Sequence, residues 1–181
     1  MRVGLVRHFP VKEPLLSGWR TAAQLMEWRA AYESSPVMPG SVDTGAVPWR
    51  RCLSSDLARA AATAQAAWEG DIHYTPLLRE AEFDAFRTGP LRLHTGLWKW
   101  VFRLAWMTGH RSQRARRDDF RRRVAGAADL IESLPEDTLV VSHAGMMIYL
   151  SAELRRRGFT GARLRMPQHD RLYLYERQAR S

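Results

Sequence analysis

The chain has 181 residues, 45% of them hydrophobic, which is typical of a globular protein with a buried core. Its net charge of +9 would suit a nucleic-acid-binding protein, but the 28 basic residues, only two of which are lysines, are spread along the whole sequence. We therefore expect one domain over residues 1–181, with no low-complexity tract and no nucleic-acid partner.

The first predicted element is a buried strand over Val3–Val6, which ends in Arg7 and His8. An aliphatic run cannot satisfy an arginine, so this polar pair belongs where the strand leaves its sheet and meets solvent. In open α/β sheets, ligands bind at the carboxyl ends of the strands. Arg7 and His8 are therefore candidate site residues.

Helices and strands alternate along the rest of the chain. Apolar periodicity predicts a helix that begins after Gly18 and runs to about residue 32, and a loop rich in Ser, Pro and Gly follows at 34–47. The later predicted elements are a strand at 51–54, a helix at 56–68 capped by Ser55 or Asp56, a strand at 72–75, a helix at 118–133, a strand at 138–142, a helix at 145–157 and a strand at 171–176. This order predicts an α/β three-layer sandwich, with a mostly parallel sheet and helices on both faces.

Several of the predicted junctions carry further polar side chains. Arg59 lies in the first turn of an alanine-rich helix, and His143 follows an aliphatic strand as His8 does. Glu80 lies in a loop, with Glu82 two residues later as the reserve candidate, and we expect only one of the two to enter a pocket. Each of these features is weak alone, but their combination indicates a single site.

Four segments that carry these polar residues resemble, in chain order, the signature segments of the histidine phosphatase superfamily, which has the phosphoglycerate mutase-like fold. The matching residues are Arg7-His8, Ser55-Asp56-Leu57 with Arg59-Ala60 and Thr63-Ala64, Leu78-x-Glu80, and Ser142-His143-Ala144-Gly145. The resemblance runs from residue 2 to about residue 147. Four segments in the family's order are far more specific than one.

The resemblance implies a phosphohydrolase that acts on a small phosphate monoester through a phosphohistidine at His8. Arg7 and Arg59 provide forked guanidinium groups for phosphate, and His143 donates to the phosphoryl oxygens. Glu80 protonates the leaving oxygen and then activates water. Two alternatives remain: a phosphomutase, which would use the same residues, and a non-catalytic phospho-ligand-binding protein, which would have lost the nucleophile or the acid.

Two positions depart from the family pattern. Phe9 stands where the family has Gly after the histidine, and Pro14 stands where many members have an Asn that contacts phosphate. We expect these changes to reshape the mouth of the pocket. They weaken an assignment to the glycolytic mutases and leave the identity of the ester open.

The segment over residues 84–114 is where the superfamily often carries an insertion over the active site. We interpret it as a substrate cap, with an ordinary packed helix, an oligomer face and a membrane-surface helix as alternatives; aromatics on more than one side of a helix disfavour the last. The candidate cap residues are Trp98, Lys99, Trp100, Arg103 and Trp106.

The remaining features favour a metal-independent enzyme in the cytoplasm. The only cysteine, Cys52, cannot form an internal disulfide, and we interpret it as a buried, inert thiol. There is no His-x-x-x-His pair or cysteine cluster for a metal, so we expect neither a metal nor another cofactor. No apolar run approaches the roughly eighteen residues of a membrane span, and no signal-peptide pattern precedes the first strand.

Overall fold

A six-stranded sheet organises the computed structural model, which describes residues 1–178. The strands are β1 (Arg2–Arg7), β2 (Trp19–Arg20), β3 (Arg51–Ser55), β4 (Ile72–Thr75), β5 (Leu93–His94), β6 (Thr138–Ser142), β7 (Thr160–Gly161) and β8 (Leu172–Glu176). The sheet has the order β4-β3-β6-β1-β8-β7, and β2 pairs with β5 separately. β4, β3, β6 and β1 are parallel, whereas β8 is antiparallel to β1 and β7 is antiparallel to β8.

Helices cover both faces of this sheet, which confirms the predicted α/β fold. On one face, Leu5 packs in a core with Phe120 and Leu150; on the other, Val6 packs with Ala64. No helix within residues 1–178 has the length and apolar composition needed to cross a membrane. The helices are α1 (Ala22–Ser34), α2 (Ala58–Ala67), α3 (Thr95–Thr108), α4 (Arg114–Glu132) and α5 (Ala144–Arg156), with a 3₁₀ turn at Pro76–Leu78.

The pairing of β1 with β6 determines where the site lies. Both strands are buried aliphatic runs, and their parallel register sets Val3 opposite Thr138 and Arg7 opposite Ser142. The backbone N–H of His8 then donates to the carbonyl of Ser142 at 3.0 Å. The two strand-end histidines therefore leave the sheet side by side.

The first helix begins later than the sequence pattern predicts. Trp19 and Arg20 pair with β5 as a short strand, and α1 begins at Ala22. Thr21 and Gln24 form a reciprocal capping box, in which each side chain accepts from the other residue's backbone N–H. This cap satisfies two backbone donors at the helix start and so sets the boundary there.

The predicted cap of the second helix is wrong. α2 begins at Ala58 after Leu57, and no side chain caps it. Ser55 lies 2.9 Å from the ring of His143, and the Asp56 carboxylate forms an ion pair with Arg79 at 2.6 Å. Tertiary contacts thus use both of the side chains that the local pattern assigns to the cap.

Cys52 lies in the middle of the sheet and is fully buried. This burial raises the pKa of its thiol to about 12. Since the thiolate is the reactive form, Cys52 is an inert packing residue, in agreement with the interpretation from sequence.

Candidate active site

His8 lies at the carboxyl end of β1 and is 3% exposed. Its Nδ1 is 2.6 Å from the carbonyl oxygen of Phe9, which can only accept, so we assign the proton to Nδ1 and the lone pair to Nε2. Burial and, to a lesser extent, the nearby charge of Arg59 lower the pKa of His8 to about 3. At neutral pH His8 is therefore a neutral imidazole with Nε2 free to attack an electrophile.

His143 follows β6 and has no exposed surface. Its ring centroid lies 5.1 Å from that of His8, and its Nε2 is 2.9 Å from the hydroxyl oxygen of Ser55 at the end of β3. Burial, followed by the nearby charge of Arg59, lowers the pKa of His143 well below its ordinary value. Three adjacent parallel strands therefore hold both rings.

Arg7 and Arg59 bring two guanidinium groups to these rings. Arg59, in the first turn of α2, is 3% exposed and lies 5.6 Å from the ring of Tyr32. Within residues 1–178, neither arginine forms an ion pair with a carboxylate. The buried nitrogens Arg7 Nε, Arg59 Nε, Arg59 Nη1 and His143 Nδ1 have no hydrogen-bond partner in the same part of the chain. Ser55 Oγ accepts from the Leu57 N–H at 3.3 Å, so we assign its hydrogen to His143 Nε2 and the ring proton to His143 Nδ1. Buried donors without partners are destabilising, and a bound anion would satisfy them.

Glu80 is fixed at the amino terminus of α5. Its carboxylate accepts from the backbone N–H groups of Gly145 at 3.0 Å, Met146 at 3.1 Å and its own neighbour Ala81 at 2.9 Å. A Cβ at position 145 would collide with Glu80 Oε1, which explains the glycine two residues after His143. The acid is therefore held beside the second histidine.

Glu82 lies elsewhere. Its carboxylate forms an ion pair with Arg116 at 2.6 Å, and 47% of its side chain is exposed. Residues two apart in a regular strand lie on the same face, but this stretch is an irregular loop, and it directs Glu80 to α5 and Glu82 to the surface. This placement favours Glu80 as the acid.

Residues 167–170, which no sequence pattern singled out, also contact the predicted nucleophile and its neighbour Arg7. The carbonyl of Pro167 accepts from Arg7 Nη1 at 3.0 Å, and the backbone N–H of Asp170 donates to the carbonyl of Arg7 at 3.2 Å. His169 Nδ1 is 2.6 Å from the carbonyl oxygen of His8, and the two rings meet edge-on with centroids 5.2 Å apart. Residues 167–170 therefore help to hold the end of β1.

The two departures from the family pattern have separate structural roles. Phe9 is 2% exposed, and its backbone N–H donates to the Thr63 hydroxyl at 2.8 Å. Its ring packs so closely on Gly40 that a Cβ there would lie 2.9 Å from it. The carbonyl of Pro14 accepts from the indole of Trp28 at 2.9 Å. Phe9 is thus a buried packing residue.

The candidate cap residues divide into two groups. Trp98 and Trp106 are buried, and their indole N–H groups donate to the carbonyl of Arg20 at 2.7 Å and to the hydroxyl of Tyr149 at 3.0 Å. Lys99, Trp100 and Arg103 are exposed on α3, and the Arg103 guanidinium lies 6.0 Å from the Trp100 ring. Packing within the fold therefore accounts for two of the five residues, and a cap over the pocket stays a prediction.

The part of the chain that the structure describes was searched for side chains arranged as metal ligands. Within residues 1–178, no group of three or more His, Cys, Asp or Glu side chains is arranged to hold one. The site instead combines two guanidinium groups, two neutral imidazoles and a carboxylate. Such a set can bind a doubly charged phosphoryl group and transfer it through an imidazole nitrogen.

Comparison with protein-family models matches residues 43–177 to the histidine phosphatase superfamily, branch 1. This range includes Arg59, Glu80 and His143. Arg7 and His8 lie before it, and the structure brings them to the same place through β1. Comparison with curated proteins finds no match.

Solved structures show the same fold. A protein from Escherichia coli str. K-12 substr. MG1655, provisionally assigned as an alpha-ribazole-5'-P phosphatase, aligns with a TM-score of 0.53 and 19% identity over 85% of this chain and 79% of that one. A mycobacterial glucosyl-3-phosphoglycerate phosphatase aligns with a TM-score of 0.49 and 18% identity over 86% and 79% of the two chains. A phosphoglycerate mutase from Thermus thermophilus aligns with a TM-score of 0.44 and 23% identity over 92% and 89%. The first of these carries the structural argument for the fold.

The neutral, buried His8 predicts that the protein loses stability as the pH falls below about 6.5. In the unfolded chain His8 takes up a proton near its ordinary pKa of 6.5, whereas in the folded protein its pKa is about 3. The unfolded state binds more protons between these values, so the free energy of unfolding falls as the pH falls through this window. One such group changes the free energy of unfolding by about 1.4 kcal/mol per pH unit.

Urea unfolding of the wild type and of His8→Asn at pH 7, 6 and 5 measures this slope. We expect the variant to lose stability less steeply, by up to about 1.4 kcal/mol per pH unit. His73→Asn is the matched control, because His73 is exposed on β4, and it should keep the wild-type slope. Equal slopes in the wild type and His8→Asn would contradict a buried neutral His8.

Proposed function

The chain belongs to the histidine phosphatase superfamily, and we propose that it is a metal-independent phosphohydrolase that cleaves a small phosphate monoester through a phosphohistidine at His8. One observation carries this proposal: the buried donors of Arg7, Arg59 and His143 that lack protein partners surround an imidazole whose Nε2 is unprotonated. A phosphoryl group supplies oxygens for the donors and an electrophile for Nε2.

In the first step, Nε2 of His8 attacks phosphorus and the bond from phosphorus to the ester oxygen breaks. The two guanidinium groups and His143 stabilise the charge that spreads over the equatorial oxygens. Glu80 gives a proton to the departing oxygen, and an alcohol leaves. The proton of His8 stays on Nδ1, which donates a hydrogen bond to the carbonyl of Phe9, so the ring is held while Nε2 reacts.

In the second step, water attacks the phosphohistidine. Glu80 takes the proton from that water, the bond from phosphorus to nitrogen breaks, and inorganic phosphate leaves with His8 again neutral. Each proton that Glu80 gives in the first step returns in the second. The contacts of Glu80 with the N–H groups of Gly145 and Met146 support its role as base in this step, because they hold a carboxylate at the turn that follows His143.

Replacement of His8 by Asn tests the nucleophile while preserving its surroundings. The Asn amide can still donate to the carbonyl of Phe9, but it has no nucleophilic nitrogen. We expect kcat to fall at least about a thousandfold on any ester that the wild type hydrolyses, since the covalent route is lost. A screen of phosphorylated metabolites in excess EDTA, with phosphate release measured, identifies that ester first.

His73→Asn serves again as the control and should keep wild-type turnover. Residual activity of His8→Asn within tenfold of wild type, about 1.4 kcal/mol of barrier, would exclude His8 as the nucleophile. A requirement for added Mg²⁺ or Zn²⁺ would contradict the metal-independent part of the proposal. Transfer of phosphate to a second hydroxyl without release would identify a mutase.

Replacement of Glu80 by Gln tests the acid. Gln cannot give a proton, so kcat/KM for an alkyl phosphate should fall by about 10²–10⁴. The loss should be far smaller for 4-nitrophenyl phosphate, whose leaving oxygen needs little protonation. Glu82→Gln is the matched control and should affect both esters equally and weakly; if it shows the selectivity instead, the acid is misplaced by two residues.

A further inference from the structure

We propose that the organic part of the substrate lies in a groove between the first turns of α5 and the segment 165–169, which we call the α5 groove. The inference rests on the proposed phosphatase activity and specifies its substrate class: a phosphate ester of an alcohol that has an apolar, ring-sized body and a second anionic group. The groove has a volume of about 470 Å³. That volume is in the range of pockets that hold small-molecule ligands.

The groove is continuous with the catalytic residues. Arg7 lines it and is also one of the two guanidinium groups beside His8. His169 lines it as well, and the same side chain contacts the carbonyl of His8 and packs edge-on against its ring. An ester whose phosphoryl group is bound by Arg7 therefore has this groove directly beside it.

A second groove in the described part of the chain lies at the amino ends of the strands, opposite the end that carries His8 and His143. Arg50, Cys52 and Ile72 line it, together with Glu136. These residues belong to the beginnings of β3, β4 and β6 or precede them, whereas His8 and His143 follow strand ends. The strand direction thus separates that groove from the reacting atoms.

The surface of the α5 groove is mostly apolar. Ala144 and Ile148 contribute one wall from α5, and Met166 and Pro167 contribute the other. Met166 is 89% exposed, although a flexible apolar side chain gains by being covered. An apolar ring in the groove would cover it, which is the basis for the apolar body of the proposed alcohol.

Charge on the groove favours a second anion. Arg165 lines it and, within residues 1–178, forms no ion pair, and no carboxylate is among the lining residues. Together with Arg7, it gives the groove two guanidinium groups and no opposing charge. A carboxylate on the far side of the leaving group would pair with Arg165 while the phosphoryl group binds Arg7.

Three substrates test this assignment by kcat/KM: ethyl phosphate, which has no ring; 2-naphthyl phosphate; and 6-carboxy-2-naphthyl phosphate. Ile148→Trp fills the groove, and should lower kcat/KM for both naphthyl esters at least about tenfold while the value for ethyl phosphate stays within about twofold. Met166→Ser changes only an exposed side chain and should lower the naphthyl values about threefold. Its control is Leu134→Ser, at an exposed apolar side chain that precedes β6 and lies outside both the groove and the candidate cap, and it should change none of them.

Arg165→Gln tests the anionic group. It should lower kcat/KM for the carboxylated ester about tenfold and for 2-naphthyl phosphate less than about twofold. Arg121→Gln, at an exposed arginine on α4, is the control and should leave all three values unchanged. If Arg165→Gln lowers kcat/KM equally for the two naphthyl esters, the proposal that the substrate carries a second anionic group is wrong.

The outcomes separate this inference from the proposed function. If the wild type hydrolyses ethyl phosphate in a manner that depends on His8, while Ile148→Trp and Met166→Ser affect all substrates equally or none, the groove assignment is wrong and the phosphatase activity stands. If the wild type consumes none of the three substrates or any other phosphate ester, the proposed function is overturned and the groove assignment falls with it.

Discussion

The parallel pairing of β1 with β6 is the constraint on which the site depends. Its register sets Arg7 opposite Ser142, so that His8 and His143 emerge from neighbouring strands with their ring centroids 5.1 Å apart. A slip of one residue would exchange the two faces of a strand and expose its aliphatic side chains. The hydrophobic pattern that builds the sheet therefore also fixes the distance between the two imidazoles.

Around His8 and His143, the protein buries charged and titratable side chains, and this burial lowers its stability. Arg59 is 3% exposed and packs against the Tyr32 ring, and within residues 1–178 it forms no ion pair with a carboxylate. Burial also keeps both histidines neutral, which favours a nucleophilic nitrogen at His8. These features are unfavourable for the free protein, and the phosphoryl group that we propose as ligand would offset their cost, which is why they support function rather than packing.

Much of the fold and the central site follows from local sequence patterns, because aliphatic strands that end in polar residues are recognisable one at a time. The strand 72–75 and the strand 138–142 agree with the structure residue for residue. The α2 cap and the segment 167–170 could not be predicted in this way. Their contacts come from residues far apart in the chain: Ser55 meets His143, and His169 meets His8 because β8 returns beside β1.

The central claim is that His8 carries the phosphoryl group, and rapid quenching of turnover with a ³²P-labelled substrate tests it most directly. After quenching in alkali, proteolysis and mass spectrometry locate the label. We expect at most one phosphate per chain, on the peptide that contains His8. This phosphate should be stable in alkali and lost in acid, and His8→Asn should carry none. Label on His143, on a serine or on a carboxylate, or turnover of the wild type with no labelled protein in the pre-steady state, would contradict it.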